Sequence, residues 1–391
     1  MKKYKLSDLF DLRMGKTPAR NNPKYWEEGT NPWISIADMS SNGKYITTTK
    51  ECITNRAISE TGIKPIFPGT VIMSFKLSIG KVARTTVKSY SNEAIMAFEI
   101  KDREPSQYTI DNDYAYYLLS ALNFENIGNK AVMGKTLNKA ILENTEVYVH
   151  PWDEQRRIIS KLDKVIELIE LRTRQLSKLD ELVKSRFIEL FGDPDTNPLG
   201  WNEDALSEHL EVIGGYAFKS DKFEDEGIPV LRIGNINSGR FLPVNMVYWN
   251  DDPALERYKM HPGDLVMSLT GTVGKDDYGN VCVLGSDYPE YYLNQRNAKL
   301  SLEPTLNAKY LSELLKFDRI KRRLTGISRG VRQANISNKD ILCLCVPIAP
   351  INLQQQFAAF VEQTDKSKIE IQKSLKQLET LKKALMQKYF G

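Results

Sequence analysis

The stretch PWDEQRRIISKLDKVIELIELRTRQLSKLDELVKSRFIELFG, residues 151–192, decides the organisation of the chain because it occurs twice. Residues 350–391 align with it without a gap, at a constant shift of 199 residues. Identical pairs include Leu182 with Leu381, Phe191 with Phe390, and Gly192 with Gly391. The repeating unit is therefore half of the chain, and each copy closes with the same kind of segment.

Both copies of this segment carry an apolar stripe with a seven-residue period, which predicts long coiled-coil helices. The positions in heptad register are Leu162, Ile169, Leu176, Val183 and Leu190 in the first copy and Phe357, Ile371, Leu378 and Leu385 in the second. Further apolar residues beside the stripe are Val165, Leu179, Val361, Leu375 and Leu381.

We expect helices from about Trp152 to Leu190 and from about Leu353 to Tyr389, each roughly 60 Å long at ~1.5 Å per residue. Neither helix can bury its stripe alone, so the simplest partner for each is the other. The alternative is ordinary core packing within one domain.

The segments before these helices also repeat. The matching stretches are Leu6–Leu9 with Leu206–His209, Pro32–Asp38 with Pro229–Asn235, Asn42–Tyr45 with Ser238–Phe241, Pro68–Ser74 with Pro262–Ser268, Ile79–Lys81 with Val273–Lys275, and Ser91–Glu93 with Leu293–Gln295. The order is therefore A–B–A′–B′. We expect a first domain at 1–150, a helix at 151–192, a linker at 193–200, a second domain at 201–350 and a second helix at 351–391.

Each domain is expected to be α+β, with an irregular sheet and helices at its side. The expected strands are Ile34–Ile36, Thr70–Phe75, Ala94–Ile100, Val230–Ile233, Asp264–Leu269 and Ala298–Leu302, and the expected helices are Tyr114–Leu122 and Ala308–Leu315. The apolar run Ile341–Pro350 has the length of a strand. The two repeats together predict a pseudo-two-fold internal repeat.

Composition is ordinary for a globular protein, with 41% hydrophobic and 27% charged residues, and the net charge of +4 is only mildly basic. A DNA-binding protein can still concentrate its cations on one face. No apolar region follows Met1–Asp8, and no stretch approaches the length of a membrane span. The four cysteines lack framework spacing and are expected to be reduced core thiols, which favours the cytoplasm.

Signatures of an enzyme are missing from the sequence. It has no phosphate-binding loop, dinucleotide fingerprint or nucleophile elbow. The three histidines, His150, His209 and His261, lack metal-ligand spacing, and His150 is expected to be structural. The acidic pairs Asp251-Asp252 and Asp276-Asp277 fit solvated turns. We therefore expect no catalytic residues and no metal site.

Several glycine-containing loops combine cationic and amide side chains, a pattern that suits phosphate and base-edge contacts. The residues that we expect to contact DNA are Lys76, Ser78, Lys81, Lys135 and Thr136 in the first domain and Thr270, Thr272, Lys275, Asn294, Gln295, Arg296, Arg329, Arg332 and Gln333 in the second. The alternative for any one loop is an ordinary glycine turn with solvated charges.

The ordered motifs resemble the specificity subunit of type I restriction–modification systems along the whole chain. They are Pro-Gly followed by two apolar residues, then Ile/Val-Gly-Lys, then Pro151-Trp-Asp-Glu154-Gln155 at the start of a long helix, and Leu190-Phe-Gly-Asp-Pro194 at its end. One departure is visible, because Leu353 stands in the second helix where Glu154 stands in the first. A role for this Glu in both helices is therefore not expected.

The resemblance implies two target-recognition domains that read a bipartite asymmetric site in double-stranded DNA, and two helices that pair as an antiparallel coiled coil. It also implies two modification subunits that methylate adenine with S-adenosylmethionine, and restriction subunits that use ATP and Mg²⁺. These cofactors are expected on the partners and none in this chain.

Three other readings stay open on the sequence. The first is the specificity subunit of a related restriction system. The second is a nuclease or methyltransferase, which needs a carboxylate cluster or a cofactor loop. The third is a coiled-coil scaffold that does not bind DNA.

Overall fold

The computed structural model describes residues 1–76, 78–101, 109–124, 137–237, 239–272, 275, 277–326 and 333–391, with only the backbone described at Gln333. The chain divides into two units. The first unit contains Met1–Thr173 and Ser374–Gly391, and the second contains Arg174–Lys373. Each unit therefore holds one domain, part of the helix that follows it and part of the other long helix.

The first unit combines short strands with flanking helices. Its strands are β1 (Lys2–Lys5), β2 (Phe10–Met14), β3 (Asn31–Ile34), β4 (Tyr45–Ile46), β5 (Glu51–Ile53), β6 (Val71–Ser74), β7 (Val82–Thr85), β8 (Tyr90–Ser91), β9 (Ile95–Ile100) and β10 (Glu146–Val149). Its helices are α1 (Leu6–Leu9), α2 (Ile36–Ser41), α3 (Asn55–Thr61), α4 (Asn112–Ser120), α5 (Lys139–Asn144) and the first part of α6 (Trp152–Phe191).

The main sheet of the first unit has five strands in the order β2-β9-β6-β7-β4. A second sheet has the order β5-β3-β8, and β1 pairs with β10. All four residues of β6 are buried, because this strand lies inside the main sheet with apolar side chains on both faces.

The second unit repeats this arrangement. Its strands are β11 (Glu203–Ala205), β12 (Leu210–Gly214), β13 (Ile228–Leu231), β14 (Tyr248–Trp249), β15 (Lys259–Met260), β16 (Leu265–Ser268), β17 (Thr270–Thr272), β18 (Val281–Val283), β19 (Tyr291–Leu293), β20 (Asn297–Leu302), β21 (Gln333–Asn335) and β22 (Cys345–Pro347). Its helices are α7 (Ala308–Leu314), α8 (Asp318–Thr325), α9 (Asn338–Leu342) and the first part of α10 (Ile351–Phe390), besides the end of α6.

The main sheet of the second unit has the order β12-β20-β16-β18, which matches β2-β9-β6-β7 of the first. The sheet β14-β13-β19-β15 likewise corresponds to β5-β3-β8, and β11 pairs with β22 as β1 pairs with β10. The described part of the second unit has an additional two-stranded sheet, β17-β21. The repeat expected from the sequence is therefore also a repeat of strand order.

A buried glutamine in the first turn of each long helix binds that helix to the domain before it. In the first unit the Gln155 side chain donates to the carbonyls of Thr109 (3.2 Å) and His150 (2.9 Å), and it accepts from the N–H of Asp111 (3.0 Å). The side chain is 1% exposed. A buried amide with all these partners fixes the helix against the domain.

Gln354 makes the same three bonds in the second unit. It donates to Thr305 (3.2 Å) and Ala349 (2.7 Å) and accepts from Asn307 (2.8 Å), and it is fully buried. The glutamine four residues after Pro151 and Pro350 is therefore structural in both units, although the residue before it differs, Glu154 in one and Leu353 in the other.

Each domain also packs against the end of the other long helix. In the first unit the Phe390 ring lies 5.3 Å from the Tyr114 ring. In the second unit the Phe191 ring lies 4.8 Å from Tyr310, the counterpart of Tyr114. The two phenylalanines are one of the identical pairs in the 199-residue repeat.

Inside the second unit the two helical segments contact each other directly. Asp180 pairs with Lys368 at 2.6 Å, and the rings of Phe187 and Phe191 lie 5.4 and 5.5 Å from that of Phe357. Higher numbers on one segment meet lower numbers on the other, so the two segments are antiparallel here. In the first unit Lys161 donates to the Tyr389 hydroxyl at 3.4 Å.

Some local expectations were wrong. Ile36 does not extend the strand β3, because the Ser35 side chain caps helix α2 there and accepts from Asp38 N–H at 3.2 Å. Ile233 likewise begins a 3₁₀ turn rather than extending β13. The run from Ile341 to Pro350 is divided between α9 and β22, and Cys343 is exposed rather than a core thiol. Leu381 is 46% exposed and lies outside the buried stripe.

The predicted heptad positions differ in their surroundings. Leu162 and Val183 are buried in domain cores, and Leu190 and Leu385 pack partly buried against those cores. Phe357 is fully buried. Ile169, Leu176, Ile371 and Leu378 are half-buried on the long helices. The residues at the ends of each apolar stripe therefore pack against a domain core and not only against the other long helix.

Candidate nucleic-acid interface

Most of the described candidate residues lie at one edge of each main sheet, which we call the loop edge. In the first unit it consists of residues 15–17 after β2, the described residues 75, 76 and 78–81 after β6, and residues 92–94 before β9. These segments meet because β9 pairs antiparallel with both β2 and β6. Phe75 N–H donates to the Ala94 carbonyl at 2.9 Å, which joins two of them.

Gly15 is required for this junction. Its N–H donates to the Ile95 carbonyl at 3.1 Å, and a Cβ at this position would lie 2.3 Å from the Asn92 carbonyl oxygen. No side chain fits at that distance. The next residue, Lys16, donates its N–H to Ser91 at 2.8 Å and has an exposed side chain.

The turn 75–81 is held by Ser74. The Ser74 hydroxyl donates to the Ser78 carbonyl (2.6 Å) and accepts from Lys81 N–H (3.1 Å). Ser78 has a left-handed φ of 48° and is exposed. Lys76 is half-buried, and the Lys81 ammonium donates to the Ser40 hydroxyl. The turn therefore presents Ser78 to solvent, while Lys81 is tied back to the domain.

The loop edge of the second unit consists of residues 215–217, 269–272 and 294–296, together with the backbone of β21. Leu269 N–H donates to the Arg296 carbonyl at 2.9 Å, as Phe75 does to Ala94. Strand β17 pairs with β21, so that Thr272 is opposite Gln333. Three candidate segments that are distant in sequence are thus adjacent in space.

Among the candidates of the second unit, Thr272, Lys275, Gln295 and Arg296 are exposed, Asn294 is half-buried and Thr270 is buried. Thr272 is oriented by Asp277, whose carboxylate accepts from the Thr272 N–H (2.7 Å) and hydroxyl (2.9 Å). The backbone hydrogen bond from Thr272 is the main cause that lowers the pKa of Asp277. Asp277 thus acts as a turn carboxylate, as expected; Asp276 lies outside the described residues.

One sequence equivalence needs correction. Gly80-Lys81 was matched with Gly274-Lys275, but Gly80 N–H donates to Ser74 (2.9 Å) as Gly279 N–H donates to Ser268 (2.8 Å). Lys81 accordingly corresponds to Asn280. The turn of the second unit is longer and includes β17, so Lys275 is not the structural counterpart of Lys81.

Four candidates, Lys135, Thr136, Arg329 and Arg332, and the side chain of Gln333 lie outside what the structure describes. The segments 15–17 and 215–217 were not among the residues predicted to contact DNA. A signal was present, because Gly15 and Gly215 stand 200 residues apart and each follows the strand that begins after the matched Leu-Ser-Asp/Glu stretch.

His150 is buried and bonded to the Tyr114 hydroxyl through Nδ1 at 2.8 Å, in agreement with a structural role. The described residues contain no group of three or more His, Cys, Asp or Glu side chains arranged to hold a metal ion. They also contain no helix that is long and apolar enough to cross a membrane.

The chain matches the family of type I restriction modification DNA specificity domains twice, at residues 1–181 and 198–382. It belongs to this family. The two matches correspond to the two halves of the internal repeat, each with one loop edge.

The relatives include two proteins of Methanocaldococcus jannaschii. The type I restriction enzyme MjaIX specificity subunit is 24% identical over 413 residues, with 98% of this chain and 91% of the relative covered. The MjaVIII specificity subunit is 24% identical over 408 residues, with 98% and 90% covered.

Solved structures share the fold. The type I restriction–modification S subunit from M. genitalium has a TM-score of 0.60 and 17% identity, with 100% of this chain and 96% of that chain covered. A chain from a structure on complex assembly and conformational transition of the type I R-M system has a TM-score of 0.56 and 17% identity, with 99% and 96% covered.

Proposed function

We propose that this chain is the DNA-specificity subunit of a type I restriction–modification system, acting on double-stranded DNA in the cytoplasm. The observation that carries the proposal is the duplicated loop edge within two matches to a DNA specificity family. The two edges share a backbone framework but differ in exposed side chains. Two unlike readers in one chain suit a bipartite asymmetric site.

In this proposal the long helices form an antiparallel coiled coil that sets the distance between the two half-sites. The contacts of Asp180 with Lys368 and of Phe187 with Phe357 support antiparallel pairing. The nine heptad residues from Leu162 to Leu385 are the proposed pairing positions. The chain itself has no catalytic role, and the domain boundaries near residues 150, 200 and 350 follow the sequence repeat.

The partners in this proposal are two modification subunits that use S-adenosylmethionine, and restriction subunits that use ATP and Mg²⁺. The specificity chain recruits them and supplies the sequence preference. Of the described candidates, Lys76, Ser78, Thr272, Lys275 and Asn294–Arg296 are the proposed DNA contacts, whereas Thr270 is buried and the Lys81 ammonium is bonded to Ser40.

Selection of bound duplexes from a random pool tests the function, with the chain assembled with its modification subunits. The expected result is a split motif with two different halves. Recovery of unrelated sequences, or binding without salt dependence, would contradict the proposal and favour a scaffold that does not bind DNA.

The spacer is tested by inserting one heptad into both helices, after Thr173 and after Lys373. Seven residues add about 10 Å of helix, or about three base pairs at ~3.4 Å each. We expect the two half-sites to stay unchanged and the gap between them to lengthen by about that amount. Insertion into one helix alone is the control, because it shifts the apolar stripes out of register. An unchanged gap with both insertions would contradict the spacer role.

A further inference from the structure

At one equivalent position the two loop edges carry side chains that differ in their hydrogen-bonding capacity, a carboxylate in the first unit and an amide in the second. In the first unit Asn92 begins the turn before β9, and its side chain accepts from Ala94 N–H at 2.7 Å. In the second unit Asn294 accepts in the same way from Arg296 N–H at 3.4 Å. The residue between them is Glu93 in the first unit and Gln295 in the second.

The backbone at these two residues is fixed by the neighbouring strand end. Gly215 donates its N–H to Asn297 at 3.1 Å, and a Cβ there would lie 2.2 Å from the Asn294 carbonyl oxygen, as at Gly15. Tyr216 donates to Leu293 at 2.9 Å, and Gln295 N–H donates to Tyr216 at 2.8 Å. Both turns are thus held by backbone hydrogen bonds to a neighbouring strand end, and each presents an exposed side chain.

Glu93 is held by a further contact. The Thr17 hydroxyl donates to the Glu93 carboxylate and accepts from the Asn92 side-chain amide at 3.1 Å. In the second unit the residue at this place is Ala217, which has no hydroxyl. The Glu93 carboxylate is therefore oriented by a hydroxyl of its own domain.

The chemistry of the two side chains differs in one respect. A carboxylate only accepts hydrogen bonds, whereas a primary amide both donates and accepts. In a DNA groove a carboxylate accepts from the cytosine N4 amino group, and a glutamine amide pairs with adenine through N6 and N7. A carboxylate also repels phosphates, so its presence at a DNA-binding edge costs nonspecific affinity and suits direct base readout.

We propose that Glu93 and Gln295 are equivalent base-reading positions, that Glu93 selects cytosine in one half-site, and that Gln295 selects adenine in the other. Thr17 is a positioning residue for Glu93. This inference rests on the proposed function, because it requires both loop edges to face a duplex.

The test compares Glu93→Gln and Gln295→Glu with the unchanged chain, each assembled with its modification subunits and selected on random duplexes. Glu93→Gln is expected to reduce the cytosine preference at one position of one half-site by about tenfold to a hundredfold, in favour of adenine. Gln295→Glu is expected to change one position in the other half-site only. Glu146→Gln is the control for lost charge, because this exposed carboxylate lies on the separate β1-β10 sheet.

The positioning role is tested with Thr17→Val and Thr17→Ser. Thr17→Val is expected to weaken base discrimination at the Glu93 position, and Thr17→Ser is expected to restore it because serine keeps the hydroxyl. Equal effects of the two variants would mean that Thr17 acts only through packing.

The inference is overturned if the unchanged chain selects a split motif and Glu93→Gln leaves every base preference intact, or changes the affinity for all sequences equally, which is the only effect expected of Glu146→Gln. If the unchanged chain selects no motif, the proposed function itself fails.

Discussion

In the first unit the Lys44 ammonium lies between two carboxylates, Asp113 at 2.8 Å and Asp163 at 2.7 Å. The second unit has a lysine where the first has Asp113: Lys309 follows the cap of α7 as Asp113 follows the cap of α4. Lys309 pairs with Asp365 of the long helix at 2.7 Å. The sign of the charge on the domain helix is therefore reversed between the units, and the ion pair to the long helix is rebuilt from other residues.

Burial lowers the pKa of Lys44, but the hydrogen bonds to Asp113 and Asp163 outweigh it and the net pKa is raised. An ion pair joins the domain to the long helix in both units, whichever sign of charge the domain helix carries. By contrast, the glutamine that joins domain and helix has the same three bonds in both units. At this junction, therefore, the residues of an ion pair can be replaced by others of opposite charge, whereas hydrogen bonds to backbone groups are the same in both units.

Loss of the aromatic ring at the end of each long helix is expected to give the largest difference between the units in the free energy of unfolding. Phe191 is 3% exposed and touches the rings of Phe187, Tyr310 and Phe357. We expect Phe191→Ala to lower the free energy of unfolding by about 3–5 kcal/mol, because it leaves a cavity among these rings. Phe390→Ala is expected to cost less, because Phe390 is only partly buried. Denaturant unfolding measures both, and equal losses would contradict the comparison.

Replacement of the buried glutamine, Gln155 or Gln354, is expected to destabilise the two units equally. Gln155→Leu and Gln354→Leu each leave two carbonyls and one N–H without their partner, which costs about 2–4 kcal/mol in the free energy of unfolding. Denaturant unfolding is again the measurement. Glu154→Leu is the matched control, because Leu353 occupies that position in the second helix and Glu154 is exposed. A loss confined to one of the two glutamines would mean that the junctions are not equivalent.

The sequence predicted the features that depend on periodicity and repetition. The long helices begin and end within two residues of their expected limits, and β6, β9, β16 and β20 lie within their expected stretches or start one residue earlier. Periodicity works here because an apolar stripe or run must be buried. The capped turns at Ser35 and Arg232 were missed because apolar residues continue through them, and hydrogen bonds rather than hydropathy end those strands.

The candidate interface was predicted only in part. Loops rich in glycine and cations were found from composition. The match of Lys81 with Lys275 was wrong because the turn after β16 contains extra residues, and no periodic pattern in the sequence shows where such an insertion lies. Lys16 and Tyr216, which follow Gly15 and Gly215, were missed because a carbonyl far away in the sequence determines where they lie. That carbonyl belongs to Ser91 for Lys16 and to Leu293 for Tyr216. Long-range strand pairing sets this geometry, and local sequence does not encode it.

The smallest expected effect concerns a buried group that only the first unit has. His150 corresponds to Ala349 in the 199-residue repeat. Burial is the main cause that lowers the pKa of His150 from 6.5, although Glu154 opposes it. The Tyr114 hydroxyl accepts from the His150 backbone N–H at 3.3 Å and shares a second hydrogen bond with Nδ1 at 2.8 Å. Around the ring lie Tyr114, Glu154, Tyr389 and Phe390.

At pH values well above 6.5 the ring is neutral in both the folded and the unfolded chain, so it adds no pH dependence there. As the pH falls through 6.5, the unfolded chain binds a proton that the folded chain resists, so stability decreases until the pH passes below the folded pKa. His150→Ala, which copies the second unit, is expected to flatten this part of the stability profile between about pH 7.5 and 5.5, measured by urea unfolding. His261→Ala is the control, because that side chain is 57% exposed. An unchanged slope in His150→Ala would assign the acid sensitivity to other groups and remove this difference between the units.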